Sequence, residues 1–210
     1  MGVADRLGMR QKYKSFLGRT LLVFALLPVS FSLAEAQDAA FQLDPAQTKV
    51  GFTLGDVLHT VHGTFKLKHG ELQIEPTGKV AGSIVVDAAS GDSGSGMRDR
   101  KMHKEVLESA RYPEIAFRPD HIEGSVAPLG KSTVMVHGIF SIHGADREIT
   151  VPAQVETSAD HWTATVHFTV PYEKWGMKNP STLFLKVNDS VEIDLVAAGS
   201  MVKSTATSHQ

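Results

Sequence analysis

The chain has no cysteine in 210 residues. That excludes disulfides, thiol nucleophiles and cysteine-ligated zinc or iron–sulfur centres. It also excludes the acylated cysteine that tethers bacterial lipoproteins. Positive charge is not in excess: Lys and Arg number 21 against 23 Asp and Glu, a formal net charge of −2. There is no HExxH pair, no GxSxG elbow and no GxxxxGK[ST] phosphate cradle, so three common routes to hydrolysis or nucleotide binding have no sequence support. The apolar run Thr20–Leu33 has 14 residues, whereas a membrane-spanning helix needs about 20.

That run belongs to a leader pattern. Arg6, Arg10, Lys12, Lys14 and Arg19 precede it, against Asp5 alone, and Ala34-Glu35-Ala36 follows. A basic region, a short apolar region and a small-x-small site are the order of a secretory signal peptide. We expect residues 1–36 to be a signal peptide cut after Ala36, and residues 37–198 to be a periplasmic or secreted domain. Met1–Ala36 holds five basic and two acidic residues, so the remainder has 16 basic and 21 acidic, net −5. With no basic patch evident, nucleic acid and anionic membranes are poor partners.

From Ala40 onward the dominant period is two. Val50, Phe52 and Leu54 alternate with small or polar residues, as do Thr64–Lys68 and Glu71–Glu75. Further alternating runs are Val80–Asp87, Glu114–Phe117, Ser132–His143, Glu148–Val155, Trp162–Val170, Leu183–Val187 and Val191–Ala197. Such alternation buries one face of a strand and wets the other. Turn residues punctuate the runs at His69-Gly70, Pro76-Thr77-Gly78, Pro128-Leu129-Gly130, Ser158-Ala159-Asp160 and Asn188-Asp189. Many short strands at this spacing predict an all-β antiparallel sandwich or barrel. Met97–Ala110 lacks alternation, follows a Gly/Ser loop at Ser90–Gly96 and stops at Tyr112-Pro113. It predicts one short amphipathic helix on the barrel wall or over one end. Residues 199–210 are polar and expected to be a flexible tail.

The ten histidines do not assemble a metal site by spacing. His59 and His62 fall on opposite strand faces, and His137 and His143 are roughly 20 Å apart at strand rise. The row Val134, Val136, Phe140 and Ile142 and the rows at Val166–Val170, Leu183–Val187 and Val191–Leu195 instead give a strongly apolar interior. An eight-stranded barrel can fill such an interior with side chains or leave room for one apolar ligand. Pattern alone leaves both open.

Several stretches together resemble the YceI-like family of periplasmic, lipocalin-like polyisoprenoid-binding proteins. They are Phe41-Gln42-Leu43-Asp44-Pro45, Val61-His62-Gly63-Thr64-Phe65, Met97-Arg98-Asp99-Arg100-Lys101-Met102-His103, Ala110–Phe117, Val136–Gly144, Trp175-Gly176-Met177 and Val191-Glu192-Ile193. Two positions depart: Gln47-Thr48 stands where the family has His-Ser, and Pro171–Lys174 lacks the Arg common before Trp175. The resemblance implies an extended, antiparallel, lipocalin-like barrel of about eight strands with one short α-helix. It implies non-covalent storage or transport of a long isoprenoid, of ubiquinone or polyprenyl type, with no other cofactor and no metal. The expected partners are that lipid or another long-chain lipid, with a homodimer left open.

The lining residues expected on this reading are Phe52, Phe65, Leu67, Phe117, Phe140, Ile142, Phe168, Leu183 and Ile193, with Trp175 near a rim. Two alternatives stand beside it. One is a lipocalin-like isomerase or hydrolase using Asp99, His103 or His143. The other is a ligand-free stress-response module with a filled interior.

Overall fold

The computed structural model describes residues 39–56, 59–183 and 185–203. The leader expected at 1–36 lies outside the described residues. Nine strands follow in order: β1 Ala39–Leu43, β2 Lys49–Gly55, β3 Thr60–Ile74, β4 Val80–Asp92, β5 Glu114–Glu123, β6 Gly130–Ile142, β7 Ala145–Thr157, β8 His161–Val170 and β9 Val191–Lys203. Between β4 and β5 lie α1, Gly96–Lys101, and one π-helical turn, Met102–Val106.

All ladders are antiparallel, and β3 pairs with both β2 and β4, which closes the sheet into a barrel. The barrel has eight positions. β1 and β2 share one of them: both lie between β3 and β9, β1 against Leu72 and Met201, β2 against Phe65 and Leu195. The turn at Asp44 separates them, with the Ala46 amide donating to Asp44 Oδ1 at 2.8 Å. The alternation read from the sequence is plain on β7. Val151, Ala153 and Val155 are buried, while Glu148, Thr150, Gln154 and Glu156 are exposed. Pro152 brings no N–H to a ladder, and pairing of β7 with β8 begins at Ala153↔Val166.

Five expectations are corrected. His69-Gly70 is no turn: Thr64–Lys68 and Glu71–Glu75 are parts of one 15-residue strand, β3. Glycine at 70 serves a close approach, since a Cβ there would lie 2.9 Å from Leu43 Cδ2. β4 runs on through Ser90, Gly91 and Asp92, which the composition assigned to a loop. The helix expected over Met97–Ala110 is shorter. Leu107 N–H bonds Met102 O at 2.8 Å, a wide π-type closure, and Glu108 ends the turn with φ +46. The described residues of Leu183–Val187 form no strand; among them only Val187 bridges, to Asp56. Gly199–Lys203, expected in the tail, continues β9 and pairs with β1, and residues 204–210 lie outside the described residues.

The two ends of the barrel differ. One carries the β1 start, the β3–β4 and β7–β8 turns and the β5–β6 loop. The other carries α1, the π-helical turn and the long connection 171–190.

Candidate functional site

The barrel is not filled by its own side chains. A cavity of about 420 Å³ runs inside it, walled by residues from all nine strands. Its wall is aromatic and branched-aliphatic because inward positions of period-two strands come from the apolar half of each alternation. Small residues at Ala153, Ala164 and Ala197 leave room along the interior.

Seven of the ten residues singled out from sequence lie on this wall: Phe52, Phe65, Phe117, Phe140, Ile142, Phe168 and Ile193. Phe52 and Phe65 stack at 5.3 Å between ring centroids, and Phe140 meets Phe168 edge-on at 5.7 Å. Three lie elsewhere. Leu67 is buried, but it sits at a register shift in β3 and packs with Phe41, Val50 and Val86. Trp175 is half-buried behind Phe140, 5.9 Å from its ring, under the Arg147 guanidinium. Leu183 is 90% exposed, because the Thr182 N–H bonds Leu185 O at 2.9 Å and puts Leu183 at the corner of a turn. Leu185 and Val187 face the cavity in its place.

One end is shut by aromatic packing. Trp162 is 5% exposed and stands edge-on to Phe41 at 5.4 Å, with its indole Nε1 donating to Ser200 O at 3.2 Å. Among the described residues, every charged residue of the wall lies at the other end: Asp56, Arg98 and Lys101. Sequence reasoning missed this cluster. The motif Arg98–His103 was recognised as a unit, but nothing in its spacing says which of its side chains face a cavity. Met102, Val106 and Leu107 line the same end and, with Tyr172, Met177, Pro180 and Thr182, form a lid over the tube.

The lid is tied from both sides. Lys101 Nζ donates to Pro180 O at 2.7 Å, and Lys178 Nζ pairs with Glu105 Oε2 at 2.7 Å. The Tyr172 hydroxyl donates to the Asn188 carbonyl. Burial, with Glu173 and Asp189 nearby, pushes its pKa up to about 12, so it stays a neutral donor. Asp56 accepts from the His59 amide at 2.7 Å.

Two residues of the enzyme alternative, Asp99 and His103, are engaged in holding structure, while His143 Nε2 is buried without a hydrogen-bond partner among the described residues. Asp99 Oδ1 accepts from the Ser93 hydroxyl at 2.6 Å and the Ser93 amide at 2.9 Å. Those bonds, then His103 and Arg98 nearby, hold its carboxyl below the usual aspartate value. His103 Nε2 contacts Gly91 O at 3.0 Å and its Nδ1 contacts Ser109 Oγ at 3.3 Å. His143 occupies the β6–β7 turn with φ +53, its Nε2 3.4 Å from Glu108 Oε1 and its ring against Tyr112. Among the described residues no three His, Asp or Glu side chains converge as a metal site.

The fold has solved counterparts. BcnA from Burkholderia cenocepacia superposes with a TM-score of 0.62 at 18% identity, covering 75% of this chain and 99% of that one. A polyisoprenoid binding domain from Saccharophagus degradans, implicated in plant cell wall breakdown, gives 0.62 at 17% identity, covering 77% and 98%. A YCEI protein from Campylobacter jejuni gives 0.56 at 13% identity, covering 68% and 86%. No curated protein matches the chain. The model of the YceI-like domain matches residues 41–198, the stretch from the first inward aromatic of β1 to the β9 residue that pairs with Thr163. On that match, the chain belongs to the YceI-like family.

Proposed function

We propose that the barrel binds the tail of a long isoprenoid lipid, of polyprenyl or quinone type, and stores or carries it in the periplasm. The observation that carries this reading is the cavity of about 420 Å³ with an apolar wall and charge at one end only. Apolar burial supplies the driving force, on the order of 25 cal/mol per Å² removed from water. Ordering the chain and fixing it in the barrel offset part of that gain. The polyisoprenoid binding recorded for the Saccharophagus degradans domain supports the same ligand class. Binding rather than catalysis also fits the engaged states of Asp99 and His103, whose polar atoms bond the chain itself. Discrimination between tail lengths should be soft, since one methylene in an apolar pocket changes binding by only about 1–3 kcal/mol.

The test is organic extraction and mass spectrometry of protein purified from its own cells. The reading expects an isoprenoid in stoichiometric amount. Soluble protein that repeatedly yields no lipid, and that takes up no added geranylgeraniol, would refute it.

A further inference from the structure

The charge of this chain is unevenly placed. Gly96–Lys104 carries Arg98, Arg100, Lys101 and Lys104 against Asp99 alone, while the rest of the chain after Ala36 has 12 basic and 20 acidic residues. Asp99 is turned back onto Ser93. Arg98, Arg100 and Lys104 are exposed. Among the described residues no carboxylate forms an ion pair with any of the four. The expectation from net charge that anionic membranes are poor partners does not hold locally: a chain that is acidic overall presents a cationic helix at the charged end of its cavity.

Exposed apolar side chains gather at the same end. Met97, on α1, is 76% exposed and Leu183, at the corner of its turn, is 90% exposed. Each neighbours a residue that lines the cavity, Arg98 and Thr182 respectively. The Lys101–Pro180 bond joins α1 to the 171–190 connection, so the two apolar side chains belong to one lid. Large apolar side chains standing in water beside a cluster of cations are the two components of interfacial membrane binding. The cations are drawn to anionic head groups and the apolar groups enter the boundary region.

We propose that this end of the barrel docks onto an anionic bilayer, with Met97 and Leu183 inserted and the α1 cations over the lipid head groups. The proposal rests on the carrier reading above, and it adds a route. A tail leaving between α1 and the 171–190 connection passes from the apolar cavity to the bilayer without crossing water.

The experiment is co-sedimentation with vesicles. Protein is purified from the soluble fraction of expressing cells, its N-terminus read by mass spectrometry. It is mixed with phosphatidylglycerol or phosphatidylcholine vesicles. Three variants are compared: Met97→Ser/Leu183→Ser, Arg100→Glu/Lys104→Glu, and Leu129→Ser as a control at the opposite end, where Leu129 is 67% exposed. The proposal expects binding to phosphatidylglycerol that weakens with salt, a loss of about tenfold or more in each double variant, and no change in the control. It is overturned if phosphatidylglycerol vesicles do not retain the protein. It is overturned equally if the double variants bind as the control does, or if an acidic protein competes away all retention at an unchanged vesicle concentration. Uptake of radiolabelled geranylgeraniol in the same samples separates the two claims. Uptake without vesicle binding defeats docking alone, and vesicle binding without uptake defeats the carrier reading.

Discussion

Phe41 and Trp162 meet edge-on at 5.4 Å with their planes 85° apart, one from the short first strand and one from β8. Each is about nineteen-twentieths buried. Their contact closes the end of the tube opposite the charged lid. Trp162→Ala removes the larger partner, and truncating a buried aromatic costs about 3–5 kcal/mol. Urea unfolding should show a loss in that range. A loss below about 1 kcal/mol would mean that this end is not a packed stopper.

Gly199 tests the late end of β9. A Cβ there would stand 1.8 Å from Gln42 O and 3.1 Å from Leu43 Cα, both on β1, so no side-chain motion relieves it. Gly199→Ala must push β1 away from β9. A loss of about 1–3 kcal/mol is expected, with faster amide exchange at Phe41 and Leu43. An unaltered exchange pattern would contradict the pairing of Leu43 with Gly199.

The lid ties make a kinetic prediction. Lys101→Met removes the bond to Pro180 O, and Glu105→Gln removes the charge that faces Lys178. The first tie holds the 171–190 connection against α1 and the second holds it against the π-helical turn, so the double variant should release a bound isoprenoid faster. Its affinity should change less than its exchange rate, because the apolar wall is untouched. Stopped-flow transfer of a fluorescent prenyl probe to acceptor vesicles measures this. Identical release rates would show that the lid opens elsewhere.

His167 gives the stability a pH dependence of known sign. Its hydrogen bond to Asp194 at 2.7 Å, with the Asp194 and Glu192 charges, raises its pKa above the ordinary 6.5. The charged form is favoured in the folded state. The contribution is therefore full below 6.5 and is lost as pH rises through the higher folded value. The ring is 61% exposed, so solvent limits the effect to less than about 1 kcal/mol. The stability difference between the parent and His167→Gln should shrink as pH is raised across that window. A difference that grows with pH would refute the assignment.

The barrel was legible in the sequence because strands with one wet face announce themselves by period two, as β7 does. The same signal misled at Leu183–Val187. Its alternation is real, but Asn179-Pro180 and Asn188-Asp189 bracket it, and its polar groups bond within the segment, as Val187 N–H does with Ser181 Oγ at 2.9 Å. Alternation does not report whether a neighbouring edge is available. His69-Gly70 misled in the opposite way, since glycine marks close approach as often as a turn. Its reason lies in Leu43, 27 positions away in the chain. The wall residues were readable as inward-facing aromatics. The charged lid was not, because Arg98 and Lys101 reach the cavity only through the short helix and the π-helical turn that aim them.

The central claim is that the interior is a space for a guest. Ala164 lines it from β8, and Ala164→Trp would fill it with an apolar group while leaving the strand's outer face unchanged. The direct measurement is uptake of radiolabelled geranylgeraniol by delipidated parent and variant, each checked for folding by near-ultraviolet circular dichroism, with Leu129→Ser as a surface control. The account predicts stoichiometric uptake by the parent and control, and little or none by a folded Ala164→Trp. Undiminished uptake by that folded variant would place the lipid somewhere other than the barrel and contradict the account.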